Sequence, residues 1–342
     1  MPRTRFTDAY GLTTPIAQAG MAFVGMTPNL AVAVSQAGAL GALGVGLMPA
    51  PALTQTIDAI KAGVAGRPYN VNFITLFTDQ SHIDACCAAG VPVVSFHWGH
   101  PKREWIDQLH ASGARVFEQV GSVDDAGRAV DDGIDVIVAQ GQEAGGHNYG
   151  RLPTFALVPL VVDAVAPTLV LASGGVADGR GLAAALMLGA DGVWVGTRFV
   201  ATVESDAHDG YKERLVTARG TDTAITSLFG PDMPRFNPMR VLRNRVVRDW
   251  ANALDEAQNA ATDLTALPVI GSVDLGAGPI ELRKFSNFVP MRGRTTGDLE
   301  EMPLLAGQGV GLVRRVEPAG AVVAAMTAEA EAALARYQPV HT

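Results

Sequence analysis

Residues 140–150, QGQEAGGHNYG, bring a carboxylate (Glu143), a glycine pair (Gly145, Gly146) and an imidazole (His147) close together along the chain. They follow an apolar run, 134–139, that reads as a buried strand. Glycines let the backbone turn sharply and come close to a ligand. A histidine just beyond such a turn can exchange protons near neutral pH. The plainer alternative is a tight surface turn with a solvated imidazole. Ser173-Gly174-Gly175 follows a second apolar run, 169–172, and Gly196-Thr197 follows a third, 192–195. Bare amides beside Ser and Thr hydroxyls suit phosphate oxygens. His97 and His100 stand after a fourth run, 93–96. His97 reads as a substrate contact or as a rim histidine bonded to a neighbouring loop. As a metal pair with His100 it lacks a third ligand nearby.

The elements that must carry these residues alternate. Eight short apolar runs read as strands: 16–18, 40–45, 71–73, 93–96, 115–119, 134–139, 169–172 and 192–195. Between them, 52–62, 81–89, 102–111, 123–132 and 180–188 have helical spacing. Alternation of strand and helix predicts crossovers and a parallel sheet. Strands that are apolar throughout fit a sheet covered on both faces. Eight units predict an α/β fold of the closed (β/α)8 TIM-barrel type, not an open doubly wound sheet. The best match to a dinucleotide fingerprint, residues 44–49, has Pro49 where the third glycine belongs. Barrel sites lie at the strands' C-terminal ends. That rim collects Gly20, Met21 and Ala22 after the first strand, Asn72 from the third and His97 from the fourth. It also takes Gln119 from the fifth, Gln140 from the sixth, and the two glycine pairs after the seventh and eighth. Loops seven and eight of barrels often hold a phosphate, here of a cofactor or of a phosphorylated substrate.

The pattern changes after the eighth strand. The expected organisation is a barrel over 1–205, a smaller and mainly helical lid domain over 206–300, and a segment, 301–342, packing back on the barrel. Residues 208–218 read as a helix and 229–238 as a Pro-rich connection. Residues 239–259 have helical spacing, with Arg240, Arg243, Arg245 and Arg248 on a solvated or salt-bridged face. Residues 264–296 are punctuated by Gly and Pro, and Phe285, Phe288, Pro290 and Met291 fit either a flap over the barrel mouth or a small-domain core. An Ala-rich helix is expected over 317–337.

The chain has 342 residues, 48% hydrophobic and 18% charged, with a formal charge of -8. It can bury a large core. Without a basic run, neither nucleic acid nor an anionic membrane is an expected partner. The first residues, MPRTRFTDAYG, lack the apolar stretch of a secretion signal. The most apolar segment, 155–176, is broken by Pro159, Asp163 and Pro167, so no membrane span is expected. The two cysteines, Cys86 and Cys87, are adjacent and make no disulfide framework, which favours a reducing, cytoplasmic setting.

PIAQAGMA (15–22), NVNF (70–73), QEAGGH (142–147), ASGGVADGRG (172–181) and GTRF (196–199) occur in this order and spacing. On them the sequence resembles the nitronate monooxygenase family, formerly 2-nitropropane dioxygenases, with its relatives the FMN-dependent enoyl-ACP reductases. The resemblance implies an FMN-dependent TIM barrel with a smaller helical domain over its mouth. By motif position, Gly20, Met21 and Ala22 would line the flavin ring. Asn72 and Gln119 would contact the flavin or its chain, Gln140 would lie near the ribityl or phosphate end, and Gly145 would approach the cofactor. Ser173, Gly174, Gly175, Gly196 and Thr197 would hold the phosphate, and His147 takes the catalytic position. Some relatives carry Lys in place of Gln119 and Asp in place of Gln140, so this chain loses two charges there. The implied reaction oxidises alkyl nitronates, or nitroalkanes, with oxygen to a carbonyl compound and nitrite. The alternatives are an NAD(P)H-dependent reductase of an enoyl thioester or quinone, and a non-catalytic flavin-binding protein.

Overall fold

The computed structural model describes Met1 and residues 3–336. Eight parallel strands form the barrel: β1 (Ile16–Gln18), β2 (Gly41–Gly44), β3 (Tyr69–Ile74), β4 (Val93–His97), β5 (Arg115–Val120), β6 (Val136–Gln140), β7 (Leu169–Ser173) and β8 (Gly192–Val195). Each pairs in parallel with the next from β2 to β8, and β8 pairs with β1. The last seam, between β1 and β2, is short. It consists of an Ala17–Leu40 bridge and a side-chain clasp. The Gln18 amide donates to the Ala42 carbonyl at 2.8 Å and accepts from the Ala42 N–H at 3.0 Å. A fully buried glutamine thus supplies the hydrogen bonds that a longer ladder would have made. The expected (β/α)8 architecture is the observed one.

Strand side chains alternate between the barrel axis and the outer helices. Ala17, Leu40, Val93, Phe117, Val136, Val138, Leu171 and Trp194 fill the inside. The outward residues pack against the surrounding helices in a larger core that includes Ile16, Leu43, Val71, Val94, Val116, Ile137 and Val170. Three of those helices begin where a short polar side chain caps them. Asp79 accepts from Ser81 N–H at 2.9 Å, Ser122 from Asp125 N–H at 3.1 Å, and Asp178 from Arg180 N–H at 3.0 Å. The segment 155–176 lies partly in helix Thr154–Val165, which contains Pro159. No helix among the described residues is long and apolar enough to cross a membrane.

Beyond β8 the chain departs from the expected mainly helical pattern. Residues 239–259 are not one helix. They form strand β10 (Met239–Leu242) and helices Arg245–Asp249 and Leu254–Ala260. The run MRVL is buried at every position, which a strand covered on both sides requires. Asn244 then caps a new helix by accepting from Val247 N–H at 3.1 Å. β10 lies between β9 (Thr223–Thr226) and the two-residue strand Gly146–His147. A second antiparallel sheet joins β11 (Val269–Asp274) to β12 (Pro279–Arg283) and β13 (Thr295–Gly297). Its hairpin turn contains Gly276 and Gly278, both at positive φ, two of the glycines that punctuate 264–296. The arginines also separate. Arg240 is buried on β10, while Arg245 pairs with Asp298 and Glu301, and Arg248 with Glu300.

The last described helix, Ala319–Ala335, packs on the barrel helices Gly179–Met187 and Pro28–Gln36. Tyr337, the expected end of this helix, lies outside the described residues. The contact is closest at Gly179, where an added Cβ would lie 2.3 Å from the Met326 carbonyl oxygen and 2.4 Å from Ala330 N. Backbone cannot yield there as a flexible side chain would. Gly179→Ala is therefore expected to lower stability by about 1–3 kcal/mol, read as a lower urea midpoint at unchanged slope.

Candidate active site

A cavity of about 300 Å3 opens at the C-terminal ends of the barrel strands. Every residue singled out from the sequence for cofactor, catalysis or substrate lines it: Gly20, Met21, Ala22, Asn72, His97, Gln119, Gln140, Gly145, His147, Ser173, Gly174, Gly175, Gly196 and Thr197. The two-residue period of the strands explains the convergence. Gln119 stands two positions after Phe117, Gln140 two after Val138, Ser173 two after Leu171, and Gly196 two after Trp194. Each is the next inward position above a residue of the barrel interior.

One end of the cavity is built of backbone. Among the described residues, no acceptor takes the N–H of Gly174, Gly175 or Gly196. These amides stand beside the Ser173 and Thr197 hydroxyls. The Thr197 hydroxyl accepts from Gly307 N–H at 2.9 Å, which leaves its own proton free to donate. Gly145 closes the same end. A Cβ there would lie 2.4 Å from Gly307 N, so only glycine lets the two loops meet. Near the middle, a Cβ on Gly20 would fall 2.1 Å from Asn72 Cβ. The Asn72 amide donates to Ser95 Oγ at 2.7 Å, which holds it against the first loop. The walls are largely apolar: Met21, Phe23, Ile74, Phe77, Phe288, Val289 and Leu305.

The imidazole end depends on β10. His147 pairs with Met239 and Gly146 with Arg240 in antiparallel register. The Arg240 guanidinium donates to the Gln142 carbonyl from Nε at 3.1 Å and Nη2 at 2.9 Å. The Gln140 side chain donates to the His147 carbonyl at 3.3 Å. Glu143, the motif's carboxylate, turns away from the cavity. It accepts from Thr154 N–H at 2.8 Å and Thr154 Oγ1 at 3.0 Å, serving the start of helix Thr154–Val165.

The His147 ring lies with its centroid 3.5 Å from that of Phe236 and 5.4 Å from that of Trp98. Its Nδ1 is buried without a hydrogen-bond partner. Burial, with a smaller contribution from His97, pushes its pKa down to about 3 against the opposing Phe236 carbonyl. His97 donates from Nδ1 to the Phe73 carbonyl at 3.0 Å, because a carbonyl can only accept. In the neutral ring Nε2 then carries the lone pair. Burial pushes the His97 pKa down to about 4. Both cavity imidazoles are neutral at pH 7. His100 serves elsewhere, bonding Glu118 Oε2 at 2.9 Å and Asp132 Oδ2 at 2.8 Å. Among the described residues no cluster of three or more His, Cys, Asp or Glu is arranged to hold a metal.

Several lining residues lie beyond the motifs. Leu305, Gly307 and Gly309 come from the stretch LAGQGVG, whose recurrent glycines were the one available signal. Tyr211, Met233, Phe236, Met239 and Asn287 also line the cavity, and no spacing rule marks them. The segment 285–294 contributes Asn287, Phe288 and Val289 to one wall, while Phe285 and Met291 belong to apolar clusters behind it.

Unclaimed glycine amides at one end of an apolar-walled slot, an orphaned imidazole nitrogen at the other, and a (β/α)8 frame beneath define a flavin-dependent oxidoreductase. The donor set fits the phosphate-bearing tail of a flavin nucleotide and the apolar walls fit its ring. The chain belongs to the nitronate monooxygenase family, whose model matches residues 3–329. Among curated proteins it is 32% identical over 278 residues to a "Probable nitronate monooxygenase" of Staphylococcus aureus (strain Newman), covering 68% of this chain and 78% of that one. It is 38% identical over 248 residues to the (3aS,4S,5R,7aS)-5-hydroxy-7a-methyl-1-oxo-octahydro-1H-indene-4-carboxyl-CoA dehydrogenase of Mycobacterium tuberculosis (strain ATCC 25618 / H37Rv), covering 72% and 67%. Among solved structures, FabK from Thermotoga maritima superposes with a TM-score of 0.81 at 34% identity over 98% of both chains. Nitroalkane oxidase from Streptomyces ansochromogenes gives 0.76 at 28% identity over 97% of this chain and 99% of that one.

Histidines kept neutral by burial are protonated more readily in the unfolded chain. The stability they permit is complete above pH 6.5 and falls as the pH drops from there toward about 4 for His97 and about 3 for His147. In a histidine-resolved NMR titration between pH 5 and 8, the His97 and His147 ring signals are expected to stay at their neutral positions. A midpoint between 6 and 7 for either ring would contradict the burial argument.

Proposed function

We propose that the protein oxidises alkyl nitronates, and nitroalkanes after loss of their α-proton, with FMN and molecular oxygen, yielding a carbonyl compound and nitrite. Ser173, Gly174, Gly175, Gly196 and Thr197 would hold the FMN phosphate. Gly20, Met21 and Ala22 would line the ring, with Asn72, Gln119, Gln140 and Gly145 along the ring and its chain. When bound, FMN supplies the electron acceptance from the substrate and the subsequent reaction with oxygen.

The observation that carries this reading is the unpartnered Nδ1 of His147 in a cavity of mostly apolar walls. A buried polar atom with no protein partner costs free energy that a ligand can return. A neutral imidazole can donate to a nitro oxygen from a protonated ring nitrogen. It can also take the α-proton of a nitroalkane on an unprotonated one, so that the C–H pair stays on carbon as the nitronate. The apolar walls keep water from competing for that nitrogen. His97, with its Nε2 lone pair, is a second group within the same cavity that can contact substrate.

A second reading is a reductase that takes hydride from NAD(P)H and passes it to an enoyl thioester or a quinone. It is favoured by the similarity to a relative named for a carboxyl-CoA substrate. A non-catalytic flavin-binding protein is disfavoured by the intact His147 and its glycines.

Anaerobic mixing of the flavin-loaded protein with a nitronate, and separately with NADH and NADPH, decides between the readings. Bleaching or semiquinone formation by nitronate alone is expected. Rapid bleaching by NAD(P)H alone would establish the reductase, and no response to any would leave a binding protein. His147→Ala is expected to retain bound FMN but to lose about 10²-fold or more in turnover of a neutral nitroalkane. An unchanged rate would remove His147 from the mechanism.

A further inference from the structure

The strap 229–238 carries Phe236 onto His147, and nothing in the reaction as derived above uses it. The strap is closed on itself by the Asn237 side chain, which donates to the Phe229 and Gly230 carbonyls, each at 3.0 Å. Gly230 N–H donates to the Phe285 carbonyl at 2.7 Å, anchoring one end. At the other end Asn148 N–H donates to the Pro238 carbonyl at 3.1 Å, and Met239 pairs with His147. Trp98 latches the middle, with Nε1 donating to the Arg235 carbonyl at 2.7 Å. So held, the strap points Met233 and Phe236 into the cavity. Phe236 is 6% exposed. Its ring also meets Phe77 at 5.1 Å and Trp98 at 5.8 Å between centroids. The spacing of 3.5 Å to the His147 ring, at an interplanar angle of 32°, leaves no room for a substrate between the two rings.

We propose that Phe236 is the specificity-determining residue of this site: it covers one face of His147, restricts the substrate to the edge of the imidazole, and packs against the substrate's carbon skeleton. The inference rests on the oxidation of nitronates proposed above and adds a size class to it. With Phe236, Met233, Phe77 and Ile74 on the same wall, the admitted skeletons are short and unbranched. A branched or cyclic skeleton needs the volume that the Phe236 ring occupies. Phe236 therefore discriminates by exclusion, and removing the ring admits what it kept out.

The test uses flavin-loaded wild type, Phe236→Ala and Phe236→Leu, with the nitronates of nitroethane and nitrocyclohexane. The kcat/KM ratio of the cyclic to the short substrate is expected to rise about tenfold or more in Phe236→Ala, with Phe236→Leu between it and wild type. Equal losses on both substrates would make Phe236 a support for the imidazole and overturn the proposal. A second measurement needs no turnover: acylation of His147 by diethyl pyrocarbonate, followed by the mass of its peptide. The rate is expected to rise at least about fivefold in Phe236→Ala and also in Phe236→Leu; an unchanged rate in both shows that Phe236 does not cover the ring and overturns the proposal. Should Phe236→Ala fail to fold, Phe236→Leu carries both measurements. If wild type oxidises no nitronate at all, the functional reading fails, and the acylation rates still decide whether Phe236 controls access.

Discussion

The alternation of side chains along the barrel strands is the constraint on which the site depends. Position by position, a residue that fills the barrel interior is followed two places later by one that faces the cavity above it: Phe117 by Gln119, Val138 by Gln140, Leu171 by Ser173, Trp194 by Gly196. A slip of one residue in any strand would turn its polar end outward among the helices and its helix-facing residue into the cavity. The register is therefore fixed twice, by the apolar interior and by the polar rim. The seam with the fewest ladder bonds, β1 against β2, is secured by Gln18, whose side chain bonds both the N–H and the carbonyl of Ala42.

On this frame the cavity is completed by close approach of backbone. Gly145 meets Gly307 and Gly20 meets Asn72 at distances that leave no space for a side chain. The imidazole is held in a different way. His147 belongs to a barrel loop but pairs with β10, from a part of the chain some ninety residues further on, and Arg240 ties the same loop through the Gln142 carbonyl. The imidazole side of the cavity is thus shared between the barrel and the sheet that covers it. The glycine-amide side is made by the barrel loops and the 305–309 turn. Burial withdraws both cavity histidines from water and keeps them neutral by pushing their pKa down.

What could be read in the sequence was what repeats. The eight strands stood out because each is a compact apolar run bounded by turn residues, and the rim residues because they end those runs. The later region lacked a repeating unit. Residues 239–259 have helical spacing, yet MRVL became a central strand because tertiary burial on both sides outweighed local periodicity. Arg240 read as one of four arginines on a solvated or salt-bridged face, but it is buried on that strand and bonded to a main-chain carbonyl. Glu143 stands in the same motif as His147, but its partner, Thr154, lies across a loop and no spacing rule connects them. Phe236 and Met233 escaped notice for a related reason. A Pro-rich connection carries no periodicity, so its apolar side chains gave no indication of where they would point.

The dependence of the cavity on residues 305–309 also orders events in time. As the polypeptide leaves the ribosome, all eight strands emerge before Leu305, Gly307 and Gly309 do. Until then the glycine loops after β7 and β8 lack their opposite wall, and until 239–240 docks the His147 strand has no partner. A ligand that needs this wall can be held only once the chain has been made past Gly309.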